Sequence, residues 1–191
     1  YIASHTWLAL WAAGFEVVGV DDFSNSSPEV LNRLQRLGGR SATFEKLNVC
    51  DGPALADLFQ RHNIAAVVHF AAFKAVGEST SKPLEYYRNN LGGLFSVVDA
   101  MAQFGGKALV FSSSATVYGT PERLPIPENA SLATTNPYGA TKLMGESILR
   151  DIEQAVAGTR LDLLDGFAIG ADKTNEGHCD SSLIVARLRR C

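Results

Sequence analysis

Short apolar, β-branched runs alternate along this chain with longer amphipathic stretches, and that alternation leaves few folds open to it. Residues 16–20 (EVVGV), 42–46, 65–70 (AAVVHF), 108–112 and 161–164 read as strands. The run at 65–70 is apolar but for His69, as expected of a parallel strand covered on both faces. Between the strands the spacing predicts helices over residues 4–13, 27–38, from 51 onward, 83–104 and 136–157. Each start signal has a physical basis. Ser27, Asp51 and Asn136 offer a side-chain oxygen to the free N–H groups of a first turn, and Pro28, Pro53 and Pro137 follow where no N–H is needed. Residues 71–82 and 119–135 (GTPERLPIPENASLATT) read as loops. Repeated strand and helix argue for an α/β chain with a doubly wound parallel sheet, which binds ligands outside the carboxyl ends of its strands.

The 191 residues suffice for one core. With 46% apolar and 19% charged residues, disorder is excluded. A net charge of −3 without a basic cluster gives no surface for nucleic acid. The longest apolar stretches, 8–15 and 65–73, fall short of the roughly 18 residues a membrane helix needs. Cys50, Cys179 and Cys191 form no CxxC pair, which points to reduced thiols in the cytoplasm and no metal site. His5, His62 and His178 have no ligand spacing, and His69 reads as a packed, hydrogen-bonded core residue. Trp7 and Trp11, four apart, read as helix packing, and Arg187, Arg189 and Arg190 as a solvated tail. Tyr1 in place of an initiating Met leads us to expect that the chain is part of a longer one.

Asp21 and Asp22 directly follow the strand EVVGV. Carboxylates at that edge accept hydrogen bonds from an adenosine ribose and repel a 2′-phosphate, although acids are also ordinary turn residues. In the second half, Ser112-Ser113-Ser114 ends a strand, and Tyr138-x-x-x-Lys142 opens a helix. Four-residue spacing puts Tyr138 and Lys142 on one helical face. A phenol with a pKa of about 10 is a poor base at neutral pH, but a neighbouring ammonium favours the phenolate. A serine hydroxyl beside it can hold a sugar oxygen, since it both donates and accepts.

The stretches SNSSPEVL, VVHFAAFKAVGES, KPLEYYRNN, FSSSATVYG and NPYGATKLMGE resemble the extended short-chain dehydrogenase/reductases, the NAD-dependent epimerase/dehydratase family, over about residues 1–164. Thr116 and Val117 stand where a dehydratase of that family would carry an acidic pair, which favours an epimerase. The resemblance implies a Rossmann-like domain over residues 1–170, lacking its first strand and its C-terminal substrate domain, then a divergent tail over 171–191. It implies Ser114, Tyr138 and Lys142 as the catalytic trio, with Lys74, Ser114 and Tyr138 towards the substrate. For NAD it implies Tyr1 and Ile2 at the phosphates, then Asp21, Asp22, Phe23, Ser24, Asn25 and Ser26 around the ribose. Asn48 and Val49 would lie near adenine, and Phe70, Ala71, Ala72, Phe73 and Lys74 along the cofactor. Asn89, Ser114, Tyr138, Lys142 and Phe167 complete that set. The implied reaction is inversion at C4 of a UDP-hexose through a 4-keto sugar, in a helix-paired homodimer.

The chain departs from the family pattern at Ala3, where a glycine is usual, at Asn48 and Arg88, where acids are usual, and at Asp165-Gly166-Phe167-Ala168. Loss of the first strand, central in the order 3-2-1-4-5-6, predicts a poorly stable sheet. Two alternatives stand beside the leading one: another nucleotide-sugar epimerase or dehydratase, and a non-catalytic NAD-binding protein.

Overall fold

The computed structural model describes residues 1–106, 108–155, 160–164 and 183–187. Its elements are α1 (Ile2–Ala12), β1 (Glu16–Asp21), α2 (Glu29–Gly38), β2 (Thr43–Lys46), α3 (Gly52–His62), β3 (Ala66–His69), α4 (Val76–Ser81) and α5 (Pro83–Phe104). After these come β4 (Ala108–Ser112), a 3₁₀ turn (Ala115–Tyr118), α6 (Pro137–Ala155), β5 (Arg160–Leu164) and β6 (Leu183–Arg187).

Local chemistry accounts for several boundaries. Asp51 caps α3, its carboxylate accepting from Ala54 N at 3.1 Å. Asn63, in the left-handed region at φ 48°, ends that helix. Asn136 Oδ1 accepts from Gly139 N at 2.8 Å and starts α6. Two helices begin away from the expected residue. α1 starts at Ile2 rather than Ser4, because the Tyr1 carbonyl already accepts from His5 N. α2 starts at Glu29, with Ser27 Oγ 3.3 Å from Glu29 N. Residues 76–81, expected as loop, form α4. It is only 6 residues long, too short to show a helical period in sequence.

The strands form one sheet in the order β2-β1-β6-β3-β4-β5. β1 pairs with β2, β3 with β4 and β4 with β5, all parallel. β6 lies between β1 and β3 and is antiparallel to both, Val185 facing Val18 on one side and Val67 on the other. The expected doubly wound sheet is therefore present, and its central slot is filled by a reversed strand from residues 183–187. Arg187, expected in a solvated tail, lies in that strand opposite Glu16; Arg189 and Arg190 lie outside the described residues.

Alternation along the strands sorts the core into two layers. Val17 and Val68 join Trp7 and Leu34 under α1 and α2. Val18, Val20 and Val67 join Leu55, Leu58, Leu94 and Leu149 under α3, α5 and α6. Residues such as Val20, Leu55, Val67 and Leu94 are completely buried. Each contributes roughly 1.5–3 kcal/mol relative to exposure. Trp7 and Trp11 pack edge to face with centroids 5.6 Å apart, as their spacing predicts. No helix among the described residues is long and apolar enough to cross a membrane.

Candidate active site

β4 delivers its serine triplet to the carboxyl edge of the sheet, and α6 is laid against it. Lys142 is buried, and its Nζ donates to the Ser112 carbonyl at 2.8 Å. Ser113 Oγ donates to the buried carboxylate of Glu146, which also pairs with Arg150 at 2.9 Å. Ser114 caps the 3₁₀ turn, its Oγ accepting from Thr116 N at 3.2 Å and Thr116 Oγ1 at 3.0 Å. Gly139 brings the first turn of α6 onto the same Thr116, for a Cβ there would lie 3.0 Å from its carbonyl oxygen. Tyr138, half-buried, is the residue before Gly139. One edge thus gathers Ser114, just past the end of β4, with Tyr138 and Lys142 of α6.

A second set of bonds ties the loop after β3 to this helix. Asn90 is buried and uses all four bonding positions of its amide. Its Oδ1 accepts from Phe73 N at 2.7 Å and Asn89 Nδ2 at 3.0 Å. Its Nδ2 donates to Phe73 O at 2.9 Å and Thr141 Oγ1 at 3.0 Å. Thr141 Oγ1 in turn donates to Tyr138 O at 2.7 Å. Asn90 had no sequence signal beyond its neighbour Asn89, because its role depends on a contact across 51 residues. Ala71 and Ala72 are buried beside this loop, and Lys74 is exposed at its end. The neighbouring Tyr86 hydroxyl lies 2.9 Å from Ala75 O and 3.0 Å from Glu78 Oε2. Burial first, then Glu78, pushes that phenol up to about 12, so it stays protonated beside the site.

At the end of β1, Asp21 Oδ1 accepts from Phe23 N at 2.7 Å and Ser26 Oγ at 3.0 Å. Asp22 accepts from Ser24 N at 2.8 Å and, through its other oxygen, from Asn48 Nδ2 at 2.9 Å. The acidic pair therefore builds the turn, with Phe23 at φ 59° and stacked on Phe44. Asn25 lies in the same turn, and Val49 is buried beside Asn48. Asp21 is buried in this turn and Asp22 is half-buried, and a carboxylate oxygen can accept a ribose hydroxyl alongside a turn donor. Tyr1 and Ile2 open α1, whose first turn has no side-chain cap. This donor set fits a dinucleotide: backbone N–H groups for phosphates, carboxylates for a ribose, and an ammonium at the far end. Phe167, expected to complete the cofactor set, lies outside the described residues.

The chain's sequence matches the model of the NAD-dependent epimerase/dehydratase family over residues 1–191. The chain belongs to that family. Among this epimerase-family chain's relatives, the UDP-glucose 4-epimerase of Bacillus subtilis is 52% identical over 155 residues, covering 81% of the chain and 46% of the relative. That of Homo sapiens is 49% identical over 162 residues, covering 81% and 47%. The structure of the Bifidobacterium longum UDP-glucose 4-epimerase in complex with NAD+ and UDP is similar at a TM-score of 0.82 and 43% identity, over 85% of this chain and 49% of that one. The chain spans about half the length of these relatives. The family match reaches past residue 164, where the resemblance read from the motifs stops.

His69 is packed as expected, but among the described residues its Nδ1 has no hydrogen-bond partner, where a bonded histidine was expected. Burial first, then the charge of Lys142, pushes it down to about 3, so the ring is neutral. His62 pairs with Glu45 at 2.8 Å. Cys50 is exposed, and burial of its sulfur followed by the charge of Asp22 pushes its thiol up, away from reactivity. His178, Cys179 and Cys191 lie outside the described residues.

Proposed function

We propose that this chain binds NAD+ and supplies the proton-transfer residues for epimerisation at C4 of a UDP-hexose, interconverting UDP-glucose and UDP-galactose. The observation that carries the reading is Lys142, held buried on α6 at the serine-ended edge of β4, one helical turn from Tyr138. NAD+, held by the first turn of α1 and the Asp21-Asp22 turn, would supply the hydride acceptor for sugar C4. Tyr138 takes the C4 hydroxyl proton and later returns it to the sugar oxygen. The Lys142 ammonium lowers the cost of the phenolate that this requires. Ser114 Oγ holds the sugar oxygen while the proton moves. Lys74, exposed beyond the buried Ala71-Ala72, is assigned to the substrate in the same reading.

The same reading puts the protein in the cytoplasm and takes α5 and α6 as the surface on which two copies pair. Leu84 and Phe95 on α5 and Met144 on α6 are exposed apolar residues there.

The test is a chimera in which residues 1–155 replace the matching part of the Bacillus subtilis relative, assayed over a panel of UDP-sugars. Turnover of UDP-galactose to UDP-glucose is expected, with at least about a hundredfold loss for Tyr138→Phe. Full activity in Tyr138→Phe would refute the assigned base. Turnover confined to N-acetylated or uronic sugars would refute the substrate.

A further inference from the structure

We infer that Phe111 is the positioning residue for Lys142: the face of its ring holds the ammonium group at the end of β4. This rests on the reading of Lys142 given above and identifies what keeps that charge in place.

A buried ammonium needs compensation for the water it has lost. The Ser112 carbonyl accepts one of its three donor hydrogens. The Phe111 ring lies on another side, with Nζ 4.8 Å from its centroid, inside the range in which an aromatic face attracts a cation. Two further features suit this arrangement. Gly145, one turn beyond Lys142, lets the ring approach the helix: a Cβ there would lie 2.7 Å from Phe111 Cζ and 3.2 Å from Cε1. On the adjacent strand, His69 is the register partner of Phe111, and their rings stack 5.9 Å apart at 21°. That imidazole stays neutral, so it adds aromatic surface beside the ammonium without repelling it. A protonated imidazole in the same place would oppose the lysine.

If Phe111 were only a core filler, any side chain of its shape would serve. Fluorine at the ring's Cδ positions, away from Gly145, weakens the negative face while keeping the shape. The test therefore places mono- and difluorinated phenylalanine at position 111 of the full chain. The titration of each lysine is then followed by carbon NMR at Cε, with Lys142 assigned from Lys142→Arg. The expected result is that the Lys142 ammonium loses its proton more readily with each fluorine, roughly twofold or more in dissociation constant per step. The remaining lysines and the melting temperature should stay constant. A Lys142 titration unchanged across the series would overturn the proposal. NAD+ binding to the unsubstituted chain, measured in parallel, tests the functional reading separately. Its absence would sink that reading and leave the Phe111 result standing on its own.

Discussion

Gly19 on β1 packs directly beneath the indole of Trp7, and Gly19→Ala should cost more than an added methyl normally does. A Cβ at position 19 would lie 2.0 Å from Trp7 Cζ3 and 2.4 Å from Cη2. Carbon atoms in contact sit about 3.5–4.0 Å apart, so the indole or the strand must retreat by about 1.5 Å. The ring has nowhere to go: Trp7 is 4% exposed, and the adjoining cavity, bounded by Ala3, Asp21, Leu34 and Phe44, measures only about 20 Å³. The retreat therefore falls on α1 as a whole. Overpacking costs typically about 1–3 kcal/mol, and the distances put this case at the upper end. For a chain of this size each kcal/mol lowers the melting temperature by about 2–4 °C, giving a loss of roughly 4–12 °C by circular dichroism. Trp7→Leu leaves a cavity when made alone but removes the clash, so the double variant should recover at least about 1 kcal/mol relative to the sum of the singles. A Gly19→Ala protein that melts within a degree of the parent, or strict additivity in the cycle, would refute the packing argument.

The reversed central strand makes a separate prediction. Val185→Pro removes a ladder N–H and sets a ring between β1 and β3, so stability should fall by about 3 kcal/mol or more in a denaturant titration, and an unchanged midpoint would contradict the pairing. Glu45 is pushed down to about 2, chiefly by its hydrogen bond to Arg61, against a carboxyl group's ordinary 4.5. A group lowered in the folded state stabilises above its unfolded pKa, and the benefit is lost as pH falls from about 4.5 towards 2. Glu45→Gln should therefore cost about 1 kcal/mol at pH 7 after solvent screening, and the gap to the parent should close across that window. Asn90→Leu strands the Phe73 N–H and carbonyl and removes the donor to Thr141 Oγ1, and should lower stability by roughly 2–4 kcal/mol while weakening NAD+ binding; calorimetry showing unaltered affinity would separate Asn90 from the site.

Much of this was legible in the sequence because it is local. Asp51 and Asn136 cap the helices they were expected to cap, and α5 spans the expected 83–104. Tyr138 and Lys142 share a face because helix geometry alone puts them there. What the sequence hid depends on contacts between distant residues. Residues 183–187 were expected within a divergent tail, and their place between β1 and β3 and their direction belong to the topology. The approach of Trp7 to Gly19, the four bonds of Asn90 and the stacking of His69 on Phe111 likewise arise only once the strands are in register. Asp21 and Asp22 carried two readings in sequence, a turn and a ribose site, and in the structure their oxygens build the turn.

The proposed binding of NAD+ at the Asp21-Asp22 edge is tested most directly by calorimetric titration of the 191-residue chain with NAD+ and, separately, NADP+. Saturable NAD+ binding is predicted, with NADP+ weaker by at least about tenfold because its 2′-phosphate meets Asp21 and Asp22. Equal affinity for the two, or no binding of either, would contradict it.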